Sequence, residues 1–550
     1  MKTFKKTVHV FLGSLLLVSL SVGQAFAASA SGLPESFEEV IEDMNPAARI
    51  VELSLQDCIS AALENSLDIK VEHYYPKIND AVIQSEKGMF DPTLYFNATY
   101  VDRVDPLPAS VSVATGGLSA VETQQWVVTG GLAGAIPTGL VYDFNVMSEH
   151  TPFSTITDAF ESNGEQRLET SLTLTQPLLK NFGTSVNTTG IRVAVKNKEA
   201  SVYQVEQKII ETVFEVEQAY WELVFAYENL LVKMRSLQVA QNLLEENRIR
   251  LKVGVLAPLD VLQSETGVAV REQEMIVARS ELEDAKDRLI RTTNLLSEQL
   301  IWDIEIVPTD EPFALPPVEY VEGDQIMSSL KNRADLKQLF KLQEAAEMGA
   351  RFAKNQLLPV LDVQASVGLI GQDEDFNARS LAFLGMGLPV PPPFPDTGLD
   401  PANDDLFSGE NFQWSIGFKF ELPWGNRTER GRYRSANLQV SQLDAGIQSL
   451  RQAIIMDTRN ALRGVHTNWQ RVVTTREATR FRRESLEAEQ KKYEVGVSTA
   501  HDVLEYEEEL ATAEAGEQRA LIDYAVSMSN LLRATGSLLK VRNVQVAVGD

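Results

Sequence analysis

The sequence predicts a mixed α/β chain made of two similar halves, each joining amphipathic strands to a long helical hairpin. Three observations carry this. LKVGVLAPLDVL, from Leu251, returns as YEVGVSTAHDVL, from Tyr493, and Gly254 and Gly496 stand 242 residues apart. Each copy belongs to a long run without proline, Leu178 to Ala257 in one case and Trp424 to the C-terminus in the other. Short segments of strict apolar/polar alternation precede both runs.

The N-terminus reads as an export signal rather than an anchor helix. Lys2, Lys5 and Lys6 precede an apolar run from Val8 to Val22, and Ala25-Phe26-Ala27 is a small-residue cleavage site. No cysteine lies near the cut to carry a lipid. The only cysteine, Cys58, cannot form an intramolecular disulfide and falls at a core position of a helical pattern. Net charge is −27, and loss of Lys2, Lys5 and Lys6 makes it −30, which argues against nucleic acid as a partner. No later segment reaches 18 consecutive apolar residues, so a membrane form of this chain would have to be a closed β-barrel.

The duplication extends beyond the turn. ALENSLDIK from Ala62 aligns with SLKNRADLK from Ser329: Leu63, Asn65, Asp68 and Lys70 meet Leu330, Asn332, Asp335 and Lys337. Pro92-Thr93-Leu94 falls on Pro359-Val360-Leu361, and Gln176-Pro177-Leu178 matches Leu422-Pro423-Trp424. The expected organisation is a signal peptide (1–27), an N-terminal segment (28–50), a first repeat (51–304), a linker (305–325), a second repeat (326–540) and a tail (541–550). The linker, with four prolines, can also supply short strands. A second proline-rich stretch, Gly371 to Glu410, has the composition of a long exposed loop.

Leu94, Phe96, Ala98 and Tyr100 alternate with polar residues, as do Leu361, Val363, Ala365, Val367 and Leu369 in the repeat copy. Leu172 and Leu174 before Pro177 alternate likewise, and so do Trp414, Ile416, Phe418, Phe420 and Leu422 before Pro423. A transmembrane barrel strand needs this pattern, but a half-buried sheet in a soluble domain shares it. WVVTGGLAGAIPTGLVYDFNVM, from Trp126, reads as a hairpin turning near Pro137-Thr138-Gly139 without a counterpart in the second half. It either extends a barrel or forms an extracellular hairpin, and the second is the preferred expectation.

Val202, Ile209, Val216, Leu223, Leu230, Leu237, Leu244 and Leu251 recur every seven residues, with Val213, Tyr220, Tyr227 and Met234 as companions. That is a coiled-coil seam, predicting a helix from near Arg192 to Val253 and a return helix after Pro258 to about Ile301. The second seam, Val465, Val472, Leu486 and Tyr493, is interrupted by Thr479. Gly254 and Gly496 suit the left-handed residue that ends a helix. Pro258 suits the first turn of the return helix, while Thr499 with Asp502 makes a capping box. Asp260 and Asp502 are therefore expected to cap helices.

LSLQDCISAALENSLDIK, GMFDPTL, TLTQPLL, AYWELVFAYENL and the two VGV…DVL turns occur in an order and duplication that resembles the TolC-type outer-membrane efflux proteins. The resemblance implies a mixed α/β membrane protein. About four strands per subunit would build one trimeric transmembrane β-barrel of 12 strands, continued by a long periplasmic α-helical coiled-coil barrel. Its implied partners are two further copies in a homotrimer, a periplasmic adaptor (membrane fusion) protein, an inner-membrane pump and outer-membrane lipid. The resemblance places adaptor contact at the tips Val253-Gly254-Val255 and Val495-Gly496-Val497. It places a periplasmic gate at Asp502 and Glu505, with Tyr493 and Asp260 at positions that tie neighbouring helices shut. Where the family pattern has an arginine two residues after the second tip glycine, this chain has Ser498, with His501 as another possible donor. An acidic ring from three subunits would attract cations and raise its own pKa values. The structural alternative is a cap at Asp502 and a solvated charge at Glu505.

The resemblance implies passive conduction of pump substrates to the exterior, as in tripartite efflux or type I secretion. A periplasmic coiled-coil adaptor or scaffold is the alternative, although such proteins usually carry one hairpin where this chain has two. No catalytic, cofactor or metal site is expected: there is no P-loop, no Rossmann glycine pattern and no H-E-x-x-H, and His73, His150, His466 and His501 are isolated.

Overall fold

A computed structural model describes residues 49–109, 119–154, 165–294, 304–312, 316, 320–374 and 399–545. The expected signal peptide, most of the 28–50 segment and the end of the tail lie outside them. The first described elements are β1 (Arg49–Leu53) and three helices, α1 (Leu55–Asn65), α2 (Leu67–Glu72) and α3 (Tyr74–Lys87). Four strands follow: β2 (Thr93–Pro106), β3 (Ala120–Ala135), β4 (Val141–Ser154) and β5 (Glu165–Pro177). After one helical turn, α4 (Thr184–Asn187), come the long helix α5 (Thr189–Lys252) and its return α6 (Pro258–Thr293). A short strand, β6 (Ile304–Pro308), precedes α7 (Glu322–Asn332) and α8 (Ala334–Asn355). The second set of strands is β7 (Val360–Glu374) and β8 (Phe412–Glu421), with α9 (Leu399–Ser408) between them. The last described elements are α10 (Arg427–Glu494), α11 (Ala500–Ala534) and α12 (Leu538–Val541).

At about 1.5 Å per residue, the 64 residues of α5 span about 95 Å, and the 68 of α10 slightly more. The heptad seam faces inward along α5: Ile209, Val216, Leu223, Leu230, Leu237 and Leu244 are buried, and Val202 and Leu251 at its ends are half-buried. Full burial of each such side chain contributes about 1.5–3 kcal/mol, which is what keeps so long a helix packed. Tyr220 and Tyr227 do more than fill the seam. The Tyr227 hydroxyl reaches Ile306 O at 2.8 Å, and Tyr220 reaches Asp310 Oδ2 at 2.8 Å. They anchor β6, which pairs in parallel with β1 in a two-stranded sheet against the helices. Cys58 and Ile59 are buried in the same core, with the Cys58 thiol pushed up to about 12 by burial. Thr479 does not break the second seam. It is buried, with its hydroxyl 3.2 Å from Ala513 O on α11. The return helix α6 is shorter than the sequence predicts, ending at Thr293 with Asn294 left-handed (φ 47°).

The sheet departs most from expectation. It has six strands, in the order β2-β3-β4-β5-β7-β8, with every neighbouring pair antiparallel. The expectation of about four strands is corrected to six, and the hairpin from Trp126 lies within the sheet. β3 and β4 are paired along their length between β2 and β5. Among the described residues neither end of the sheet is closed: β2 and β8 each have one unpaired edge, and β8 is exposed along its whole length. Prolines mark the changes of element at Pro92 before β2, Pro177 ending β5, Pro359 before β7 and Pro423 after β8. The stretch expected as one long loop is shorter at both ends, because β7 runs on to Glu374 and α9 packs Ala402 and Leu406 against Leu168.

Candidate functional site: the helical tips

Four helix ends meet where α5 and α10 turn back, and the two turns have the same backbone chemistry. Val255 N donates to Arg250 O and Gly254 N to Leu251 O, both at 3.0 Å. Val497 N donates to Lys492 O and Gly496 N to Tyr493 O, again both at 3.0 Å. This crossed pair of bonds is a Schellman ending, and it needs a left-handed residue; Gly254 and Gly496 supply φ 78° and φ 80°. Arg250 and Lys252 in one last turn, and Lys491 and Lys492 in the other, suit the negative end of each helix dipole.

The turns leave apolar side chains in water. Val253, Val255, Val495 and Val497 are 68, 72, 74 and 72 % exposed, and no packed atoms surround either glycine. Each return helix then starts with an aspartate cap. Asp502 Oδ2 accepts from Thr499 N at 3.0 Å and Thr499 Oγ1 at 2.7 Å, while Asp502 N returns a bond to Thr499 Oγ1. Asp260 Oδ2 accepts from Ala257 N at 3.3 Å. The Thr499 bonds hold the Asp502 carboxyl below the usual aspartate range, so within one subunit it stays ionised. Glu505, one turn further along α11, is exposed.

Ser498 stands between two carboxylates. Its hydroxyl is 2.6 Å from Glu489 Oε1 and 3.3 Å from Asp502 Oδ2, and Lys492 pairs with Glu489 at 2.7 Å. The hydrogen bonds from Lys492 and Ser498 hold Glu489 below its ordinary range. The chain thus has a neutral hydroxyl and a lysine beside its acids where the family pattern has an arginine.

Near the tips, buried Asn247, Arg271 and Tyr493 join the two hairpins. The Tyr493 hydroxyl donates to Asn247 Oδ1, and Asn247 Nδ2 donates to Ser264 Oγ at 2.7 Å. The Arg250 guanidinium lies over the Tyr493 ring, 4.6 Å from its centre. Arg271 on α6 donates to Leu504 O on α11 at 2.8 Å and to Ser236 Oγ on α5 at 3.1 Å. The helices approach closely there because residue 267 is glycine; a Cβ would lie 2.8 Å from Leu504 Cδ1. Glu507, largely buried near Arg271, has its carboxyl pushed up by burial, with the Arg271 charge opposing.

Asn247, Arg271 and Glu489 are not singled out by the sequence pattern. Asn247 lies off the heptad seam, and its partner Tyr493 is 246 residues away. An arginine within an amphipathic helix gives no sign that it is 5 % exposed. Among the described residues, no group of three or more His, Cys, Asp or Glu could hold a metal ion, and no helix is long and apolar enough to cross a membrane.

The family model for outer membrane efflux proteins matches residues 142–295 and 326–537. The chain belongs to the outer membrane efflux protein family. It is 22 % identical over 339 residues to outer membrane protein TolC of Escherichia coli K12, covering 61 % of this chain and 63 % of the relative. The aligned part thus spans under two thirds of that relative's length. Among solved structures, the CmeC outer membrane channel of Campylobacter jejuni superposes with a TM-score of 0.60 at 15 % identity, covering 96 % of this chain and 99 % of that one. The outer membrane protein VceC of Vibrio cholerae gives 0.59 at 17 % identity, covering 88 % and 96 %. At these identities the structural matches speak for the fold alone.

Proposed function

We propose that this protein is the outer-membrane channel subunit of a tripartite efflux or type I secretion system. It passively conducts substrates that an inner-membrane pump and a periplasmic adaptor deliver. The observation that carries the reading is the sheet: one face is apolar and exposed, and both edges are open, while its strands lead directly into long helical hairpins. In a bilayer every backbone N–H must be paired, so an open sheet has to close on other copies. A heterologous β8-to-β2 contact that closes by rotation gives a ring, and a homotrimer is the assembly the family suggests. The helices then form the periplasmic extension, each subunit giving two hairpins because the chain is a duplication. The mature protein sits in the outer membrane after loss of residues 1–27.

The exposed valines at 253, 255, 495 and 497 serve as the adaptor contact, since four apolar knobs in water at one end of a duct are otherwise a cost. Asp502 and Glu505 of three subunits form the acidic ring of the gate. Within each subunit the Thr499 bonds hold the Asp502 carboxyl low, which opposes the upward push of like charges in the ring. Tyr493 with Asn247, and Arg271 with Leu504, hold the hairpins of each subunit together; Asp260 caps α6.

Single-channel conductance in planar bilayers tests this, with wild type compared against Asp502→Ala/Glu505→Ala. Small cation-selective currents that become larger and less selective in the double variant are expected. Unchanged currents would keep the duct but remove the two acids from the gate. No current from either protein would favour a periplasmic scaffold.

A further inference from the structure

Resting on that reading, we infer that the hairpin β3–β4 is part of the lipid-facing wall, so that three six-stranded sheets close a barrel of eighteen strands. The register carries the argument. Leu94, Leu132, Phe144, Leu172, Val367 and Trp414 lie on one rung across all six strands. The next rung, on the opposite face, is Tyr95, Gly131, Asn145, Ser171, Gly368 and Gln413. Because successive residues of a strand point to opposite faces, one rung is continuously apolar and the other is polar or small. A one-residue slip in either hairpin strand would put Phe144 or Leu132 on the polar side. The hairpin keeps phase with both its neighbours.

Its turn identifies which side of the membrane it reaches. Pro137-Thr138-Gly139 is docked on the segment that leads into the long helices: Gly183 N donates to Thr138 O at 3.1 Å. A Cβ on Gly139, which has φ 95°, would lie 2.6 Å from Asn181 O. The strands therefore run from the far end of the sheet to the helix side and back, a full crossing rather than an excursion on the outer surface. On the polar face, Tyr95 of β2 reaches over Gly131 of β3 to Asp143 of β4, with its hydroxyl 3.0 Å from Oδ1. The hairpin also lines the lumen, adding Asp143, Asn145 and Glu149 to it. Barrel diameter grows roughly linearly with strand number, so eighteen strands make the mouth about one and a half times as wide as twelve would.

Single cysteines in the full-length protein test this; buried Cys58 is expected to stay silent. A membrane-impermeant maleimide is applied to intact cells of a host with an outer membrane. Glu410→Cys, at the far end of the sheet, should label, while Thr138→Cys should label at least about tenfold less, like the periplasmic tip control Val255→Cys. In proteoliposomes, an environment-sensitive nitrobenzoxadiazole label is quenched by doxyl-phosphatidylcholine. Quenching is expected at Val128→Cys and Val146→Cys and not at Thr129→Cys and Asn145→Cys. Strong surface labelling of Thr138→Cys overturns the inference. So does absent quenching at 128 and 146 while Leu94→Cys and Ile416→Cys are quenched, which would place the hairpin off the lipid wall. Absent quenching at 94 and 416 as well would instead refute the membrane-channel reading itself.

Discussion

Arg271 offers the sharpest test of how the two hairpins of a subunit hold together. Its guanidinium makes three hydrogen bonds, to Ser236 Oγ, Gly267 O and Leu504 O, and only the last, at 2.8 Å, crosses between hairpins. Arg271→Met keeps most of the buried stem volume and removes the charged donor. A hydrogen bond to a charged group contributes about 1.5–3 kcal/mol. If opening of the tips separates α6 from α11, loss of about 2 kcal/mol raises the open population about thirty-fold. Ser236→Ala is the control: it removes the α5 contact within the same hairpin and leaves the crossing bond in place. Open probability in planar bilayers should rise for Arg271→Met and stay near wild type for Ser236→Ala. Equal behaviour of the two variants would refute the claim that the Leu504 bond restrains the tips.

Five further outcomes follow from the geometry. Tyr493→Phe leaves buried Asn247 short of a partner, a cost of about 1–3 kcal/mol that should show as faster protease cleavage at the tips, partly reversed by adding Asn247→Leu. Glu507 has a raised carboxyl pKa, so its contribution favours the folded tip below its unfolded value and is lost as pH rises through the folded one. Urea stability should therefore fall with rising pH above the ordinary glutamate range, a slope that Glu507→Gln flattens and Arg271→Met steepens. Asp502 is shifted the other way, so its contribution is present above its unfolded value and lost only as pH falls below the ordinary aspartate range. Gly496→Ala places a Cβ in the left-handed region at a cost of about 1–2 kcal/mol, and should loosen the second tip by hydrogen exchange. Arg542→Met strips the ion pair from fully buried Glu217, which it meets at 2.7 Å; a loss of about 3–5 kcal/mol should appear as a lower urea midpoint.

What short-range stereochemistry dictates is legible in the residues alone. Seven-residue spacing from Val202 to Leu251 can only be satisfied by a helix that buries one stripe. A glycine after a helix followed by a capping box can only turn the chain. Alternation in Leu94–Tyr100 and Trp414–Leu422 established strands with two unlike faces. Thr479 read as a flaw because composition does not reveal a carbonyl on the facing helix; Ala513 supplies it. Which strands and helices are neighbours is set by long-range packing. The hairpin from Trp126 has the same alternation whether it stands inside the sheet or outside it. Its place depends on hydrogen-bond register with β2 and β5, and on the docking of Gly139 against Asn181. The contacts of Tyr493 with Asn247 and of Arg271 with Leu504 likewise join residues more than two hundred positions apart. Periodicity reports which face of an element is buried; partners are chosen by packing summed over the whole fold, and no local stretch of sequence contains that sum.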